Sequence, residues 1–535
     1  MTNTTTPTRH DLLPQKTARG IRFTFEGGPE VLSVAVAGTF NSWVGTAAML
    51  TRVGVSTWQA TVPAGPGRHH YKYVVNGIDW IIDPANPWVS EDAQNNSSFT
   101  INEFGDVFVR TGEVSQQTPG DLYRRRTAVA SPQWLRDAVL YQLSVRAFGA
   151  TFEGVRQRLD YLEQLGVTVL WLMPFHPVGE LARTGAAGDP YAVRDFLAID
   201  PELGDAAALR ALIADLHRRG MRVMMDWTLN RASIDNVLTQ THPEWFTRDA
   251  NGRLYYAVPN RTSFAGFDFS SRPLRNWLLR AMQDWVTGFE IDGMRFDDSD
   301  ITPLDFLDEI RAALVAVRPD IGIISQSTDE LHHLDFADLT YDAGARDTIL
   351  RVARGDAGAD AIGWQWEEST YTFPRGALRL RWLEEKEQGR AFRHFGHGLH
   401  LAAAAVVLTL DGVPHLMMGQ EFNEPRWHNW TSLFGDFHLD WSGFDEPTFK
   451  HYQALIALRR ANPALRQGAV HFVRSGWRDL LIYWRSTPEQ RILVAVNLSE
   501  RACQLPAAFA SHELLYGPGV NGATMPPFGC AIAKA

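Results

Sequence analysis

Gly288–Asp300 reads GFEIDGMRFDDSD. Ile291 to Phe296 has the character of a short buried strand, and the strand runs out into a cluster of carboxylates. Side chains alternate along a strand, so Arg295 and Asp297 point to the same face. A guanidinium beside a carboxylate keeps that carboxylate ionised, which suits a nucleophile or a charge stabiliser. The same alternation sends Asp298 the other way, while Asp300 falls on a turn.

Outward from this strand, apolar runs alternate with amphipathic helices from Ala138 onward. AVLYQLSV, VTVLWLMPF and MRVMMDWTLN are strand-like, whereas VRQRLDYLEQLG (ending at Gly166) and DAAALRALIADLHRRG have helical spacing. Continuous apolar strands separated by helices predict a parallel α/β barrel. In such barrels ligand chemistry sits at the C-terminal strand ends, so the informative residues follow each apolar run.

IDGMRFD resembles the nucleophile strand of glycoside hydrolase family 13, the α-amylase family, and other motifs of that family surround it in order. The resemblance implies a TIM (β/α)8 barrel with Asp297 as nucleophile and Arg295 as the arginine that holds it. In GDPYAVRDFLAIDPELG it places Tyr191 beneath the sugar at the cleavage subsite. Asp226-Trp227-Thr228-Leu229-Asn230-Arg231 follows the family pattern D-x-x-x-N-H except at its end. There Asp226 and Asn230 support Arg295 and its loop, and Arg231 replaces a histidine that contacts a sugar hydroxyl. Residues 232–271 match the protruding segment after the third strand, in a short version. In IGIISQSTDELHHLDFADLTYD, Gln326 stands where the family has its general acid. An amide can hydrogen-bond a glycosidic oxygen but has no proton to give at a useful pKa. DGVPHLMMGQEF resembles the eighth strand. The seventh is expected in AFRHFGHGLHL, with Gly396-His397-Gly398 in place of N-H-D: the sugar-binding histidine kept, the stabilising aspartate lost at Gly398.

Before the barrel, IRFTF, VLSVAVAGTF, WQATV and HHYKYVV are short, β-branched and broken by Gly and Pro, the pattern of a β-sandwich. AGTFNSW, GRHHYKYVVNGIDWIIDP and QNNSSF resemble carbohydrate-binding module family 48, the glycogen-binding type. By that resemblance Trp43 and Trp80 stack on glucose rings while Lys72 and Asn95 bond hydroxyls. The alternative is that both tryptophans are packing residues. The expected organisation is a leader (1–19), the sandwich (20–107), a polar linker (108–135) and the barrel (136–464, insertion 232–271). A C-terminal β-sandwich (465–535) completes it.

The chain has 535 residues, a net charge of −10 and two cysteines, Cys503 and Cys530. That charge argues against nucleic acid or an anionic membrane as partner. So few cysteines, with no apolar leader, lead to the expectation of a cytoplasmic protein. No metal or cofactor is called for. The expected partner is α-glucan or a maltooligosaccharide, with a glucan enzyme as possible protein partner. Retaining glycoside hydrolysis needs two carboxyls at the scissile bond, and this chain keeps the nucleophile without the acid. Asp298, Asp300, Asp329 and Glu330 are the nearest candidates for a displaced acid. The favoured reading is therefore an α-glucan-binding protein with lost or very weak glycosidase activity. The alternatives are an active α-glucan hydrolase or transglycosylase, of branching or debranching type, and a purely structural partner with a closed cleft. Aromatic residues Tyr191, Trp227 and Trp427 are expected to line a cleft that still holds sugar.

Overall fold

Eight parallel strands close into a barrel: β1 (Leu140–Leu143), β2 (Val169–Leu172), β3 (Arg222–Thr228), β4 (Gly293–Asp297), β5 (Gly322–Ser325), β6 (Leu339–Tyr341), β7 (Leu378–Arg381) and β8 (Val413–Met417). The computed structural model describes residues 12–86, 96–101, 107–109, 126–256, 261–427, 430–473 and 477–535. The strands are buried on both faces, as parallel strands wrapped by helices must be. Val169, Trp171, Met224, Ile324, Leu339, Leu380 and Val413 fill the barrel interior.

The surrounding helices follow local rules. Ala206–Arg218 begins where the Asp205 side chain accepts from the Ala208 amide at 2.8 Å, an N-cap. It ends in basic residues, which suit the negative end of the helix dipole. Its apolar stripe, Leu209, Leu212, Ile213 and Leu216, is buried. Arg272–Phe289 feeds β4 and is capped by Ser271.

The decisive strand begins two residues later than expected, at Gly293. Asp292 before it is buried and holds Arg222, Arg318 and His217. Register then aligns the functional ends: Asp226 of β3 lies beside Arg295 of β4, and Phe296 of β4 beside Ser325 of β5.

The seventh strand is not in AFRHFGHGLHL. Ala391–Phe395 and His397–Thr409 are helical, and β7 is LRLR at Leu378–Arg381. The stretch from Gly322 to Asp342 also carries two strands, β5 and β6.

Two β-structured domains flank the barrel. The N-terminal one pairs Gln15–Thr17, Gly20–Glu26, Thr57–Val62 and Thr51–Arg52 in one sheet. Val34–Gly38, Gly67–Val75, Ser97–Ile101, Val107–Phe108 and Asp79–Ile81 form the other. Phe23, Phe25, Tyr71, Tyr73 and Phe99 pack between them. The C-terminal one is a five-stranded antiparallel sheet with a two-stranded annex. Both cysteines are free. Among the described residues no helix is long and apolar enough to cross a membrane.

Candidate functional site

The carboxyl ends of β3, β4, β5 and β7 meet around Asp297. Arg295, fully buried, donates from Nη1 to Asp297 Oδ1 at 2.5 Å and to Asp226 Oδ1 at 2.8 Å. Asp226 is fixed in turn by the Tyr191 hydroxyl at 2.9 Å and the Trp171 indole at 3.2 Å. Asn230 donates to the Asp298 carbonyl at 2.9 Å, tying down the loop after β4.

Two further cations reach Asp297. Arg231 Nη2 donates to Oδ2 at 2.6 Å, and Lys386 Nζ donates to Oδ1 at 3.0 Å. Burial opposes ionisation of this carboxyl, but Lys386, Arg295 and Arg231 together outweigh it and hold Asp297 well below the usual carboxylate range. Arg231 is committed elsewhere too. Its Nη1 donates to Asp298 Oδ2 at 2.5 Å, and its guanidinium lies 4.7 Å from the Phe264 ring centroid. Where the family resemblance implies a contact to a sugar hydroxyl, this guanidinium is buried between two carboxylates and a ring, both Nη atoms bonded to the protein and its Nε without a partner.

Asp298 does not point away from the site. It adopts a left-handed backbone (φ 49°) that ends the strand alternation and turns its carboxyl onto Arg231. Burial raises its pKa, with the charge of Asp297 adding to the effect.

Gln326 follows β5 directly. Its Oε1 accepts from the Asp298 amide at 3.0 Å, and its Nε2 lies 3.5 Å from Glu387 Oε1. The amide thus stands within the Asp297 cluster. Of the other candidate acids, Glu330 pairs with Arg68 at 3.1 Å. Asp329 is buried and accepts from the Leu331 amide at 2.8 Å.

Glu387 corrects the reading of the third carboxylate. It lies in the loop after the true β7, Trp382-Leu383-Glu384-Glu385-Lys386-Glu387. Lys386 Nζ bonds Glu387 Oε1 at 3.0 Å as well as Asp297, so the two carboxylate oxygens are no further apart than twice that distance. Lys386 holds the Glu387 pKa below its usual value. Gly398, by contrast, sits in an outer helix where an added Cβ would meet the Phe528 ring at 2.3 Å. His397 contacts Asn423 at 3.1 Å. His397 and Gly398 thus face Asn423 and the C-terminal domain. The histidine expected at the end of the seventh strand instead opens the helix His397–Thr409.

Lys386 also lies over the Tyr191 ring, 4.2 Å from its centroid. An aromatic face attracts a cation strongly once water is excluded, and Lys386 is buried. One face of Tyr191, the residue that the resemblance places beneath a sugar, is thus covered by this chain's own ammonium. Trp227 and Trp427 are likewise buried, the first against Phe196 and His176 and the second against Phe437. They are core residues and line no open cleft.

In the N-terminal domain, Trp43 is 5% exposed and packs on Trp80 with ring centroids 6.4 Å apart. Trp80 and Lys72 are half-buried. Asn95 lies outside the described residues. Among the described residues there is no group of three or more side chains placed to hold a metal ion.

Comparison with known proteins accords with the fold. The family description "Alpha amylase, catalytic domain" matches residues 144–262, and "Glycogen recognition site of AMP-activated protein kinase" matches residues 20–102. An alpha-amylase of Haloarcula japonica is 28% identical over 445 residues, 77% of this chain and 63% of that protein. The chain therefore spans less than two thirds of that relative. The crystal structure of a noncanonic maltogenic alpha-amylase from Thermotoga neapolitana superposes with a TM-score of 0.67 at 26% identity. It covers 75% of this chain and 97% of its own. A solved cyclomaltodextrinase, 19% identical, shares the fold over 99% of this chain and 98% of its own, with a TM-score of 0.67.

Proposed function

Starting from an α-amylase-family chain, with an amylase-type barrel behind a domain of the glycogen-recognition type, we propose an α-glucan-binding protein whose glycosidase activity is lost or very weak. The observation that carries this is Gln326, an amide at the proton-donor position of a site whose nucleophile is already bound by three cations.

Each half of the reaction is impaired. The nucleophile must offer an electron pair to the anomeric carbon. Asp297 has both oxygens engaged by charged donors, and its low pKa marks a weak base. The leaving oxygen needs a proton as the bond breaks, and a general acid contributes about 10² to 10⁴ in rate. Gln326 can donate only a neutral hydrogen bond. Glu387 is ionised beside Lys386, so it serves as a negative charge near the anomeric centre rather than as an acid. The α-glucan part of the reading is supported by the two family matches and by relatives named as amylases.

Purified protein incubated with maltoheptaose should bind it and release reducing ends no faster than the Asp297→Ala variant. Release well above that control would overturn the inactive reading and leave the glucan reading intact.

A further inference from the structure

Strand alternation continues below Asp297. Arg295 lies two residues earlier on β4, so it occupies the next layer down inside the barrel. Interior positions of other strands reach the same region. Gln142 follows the interior Leu140 by two residues on β1, and Tyr341 follows Leu339 on β6. Trp382 follows Leu380 just past the end of β7, and His415 follows Val413 on β8. The Tyr341 and Trp382 rings pack with centroids 5.1 Å apart. Trp171 lies 5.2 Å from the His415 ring and 5.4 Å from Arg295 Cζ. Glu385, in the loop after β7, is close enough to feel the Arg295 charge.

This layer gathers buried polar atoms that the protein leaves unbonded. Arg295 Nε and Nη2, Tyr341 Oη, Trp382 Nε1, Gln142 Nε2, His415 Nδ1 and Glu385 Oε2 have no hydrogen-bond partner among the described residues. A buried polar atom without a partner has lost its hydration and gained nothing in return. Each such atom in a folded protein calls for a partner, and here they collect in one place. Left dry, their combined cost would rival the net stability of a whole domain.

The chemistry of the set selects the partner. Arg295 and Trp382 only donate, whereas an ionised Glu385 only accepts. Burial and the Arg295 charge push His415 down to about 3, so its ring is neutral. Its Nε2 donates to Gln142 Oε1 at 3.1 Å, which leaves Nδ1 as an acceptor. A small anion would satisfy the donors and be repelled by Glu385. Water donates and accepts at once, and so suits the whole set. Arg295 Cζ also stands 5.8 Å from the Tyr341 ring centroid, beyond the about 3.5–4.0 Å of stacked packing, so the guanidinium does not close the space against that ring.

We propose that the barrel layer beneath Asp297 is a hydrated chamber, in which bound waters bridge Arg295 and Trp382 to Glu385 and His415. Glu385 Oε1 accepts from the Glu387 amide at 3.0 Å. Water on its other oxygen therefore joins Arg295 to the loop that carries Lys386 and Glu387, the loop that reaches Asp297. Solvent is thus a positioning part of the site, whatever ligand the barrel mouth takes.

The test is a crystal structure of the full chain at a resolution that shows ordered water, together with the Tm of Tyr341→Phe. Water density within hydrogen-bond distance of Arg295, Trp382 and Glu385 is the expected result, and a chamber without density would overturn the proposal. A bromide soak separates water from an ion: anomalous signal in the chamber would assign an anion and overturn the water reading. In a hydrated chamber Tyr341→Phe removes one partner of a bound water, so the Tm falls. In a dry one the same change relieves an unbonded hydroxyl, and a Tm that holds or rises would overturn the proposal. None of these outcomes bears on glucan binding, so failure here leaves the proposed function untouched.

Discussion

At Asp297 one carboxylate receives three cationic donors, from Arg295, Arg231 and Lys386. Only the first was readable as a partner from the sequence, because strand alternation puts residues two apart on one face. Arg231 and Lys386 arrive from other loops, and spacing along the chain carries no trace of such convergence. Asp298 escaped the alternation rule because its left-handed backbone ends the strand. Gln326 was readable because it follows an apolar strand directly. The two defects that the proposed reading assigns to the site are separable by substitution. Gln326→Glu supplies a proton donor, and Lys386→Ala clears the ring of Tyr191 and removes one of the two cations on Asp297 Oδ1, Arg295 remaining on it. The double variant is expected to hydrolyse maltoheptaose about 10²-fold faster than either single variant, since groups that act as a unit do not add. Steady-state release of reducing ends decides it, and equal rates in all three would remove the amide and the lysine as the cause of the proposed inactivity.

At the scale of elements, β1, β2 and β3 were legible as apolar runs and β8 through the family resemblance, and β7 was not. LRLR looks like a solvated stretch, yet both arginines are buried: Arg379 donates to the Tyr341 carbonyl and Arg381 to Asp342 and Asp411. Charge satisfied inside the protein hides a strand from any hydropathy pattern. The available signal was position, an alternating tetrapeptide between the helix at Asp360–Thr372 and the eighth-strand motif. Missing it placed the expected position of the third carboxylate at Gly398 and not in the loop after β7 that carries Glu387. By contrast the helix after β2 was legible from its spacing, and the structure adds its cap at Asp205. Asp205→Ala should lower stability by about 1 kcal/mol, the usual cost of losing an N-cap acceptor, measured by urea unfolding. No change would mean that the capping bond contributes nothing measurable to the fold.

For the whole molecule, barrel and flanking β-domains were legible because period-2 and strand–helix patterns repeat over long stretches, while the docking of one domain on another was not. A second whole-molecule property is its pH response. Glu421 is fully buried, its Oε1 accepting from the hydroxyls of Tyr141 and Tyr161 and its Oε2 lacking a partner. Burial pushes its pKa up to about 7 from 4.5. A carboxyl whose folded pKa is raised stabilises the fold fully below the unfolded value and loses that contribution as pH rises through 7, an effect on the order of 3 kcal/mol. The Tm should therefore fall between pH 5 and 8, and Glu421→Gln should flatten that decline; an identical slope in the variant would assign it to other groups. The central claim is that this barrel keeps an amylase-like attacking group it cannot use. A nitrophenyl maltoheptaoside tests it most directly, because its good leaving group needs little help from an acid. The account predicts nitrophenol release indistinguishable from that of Asp297→Ala, and robust release that vanishes in Asp297→Ala would contradict it.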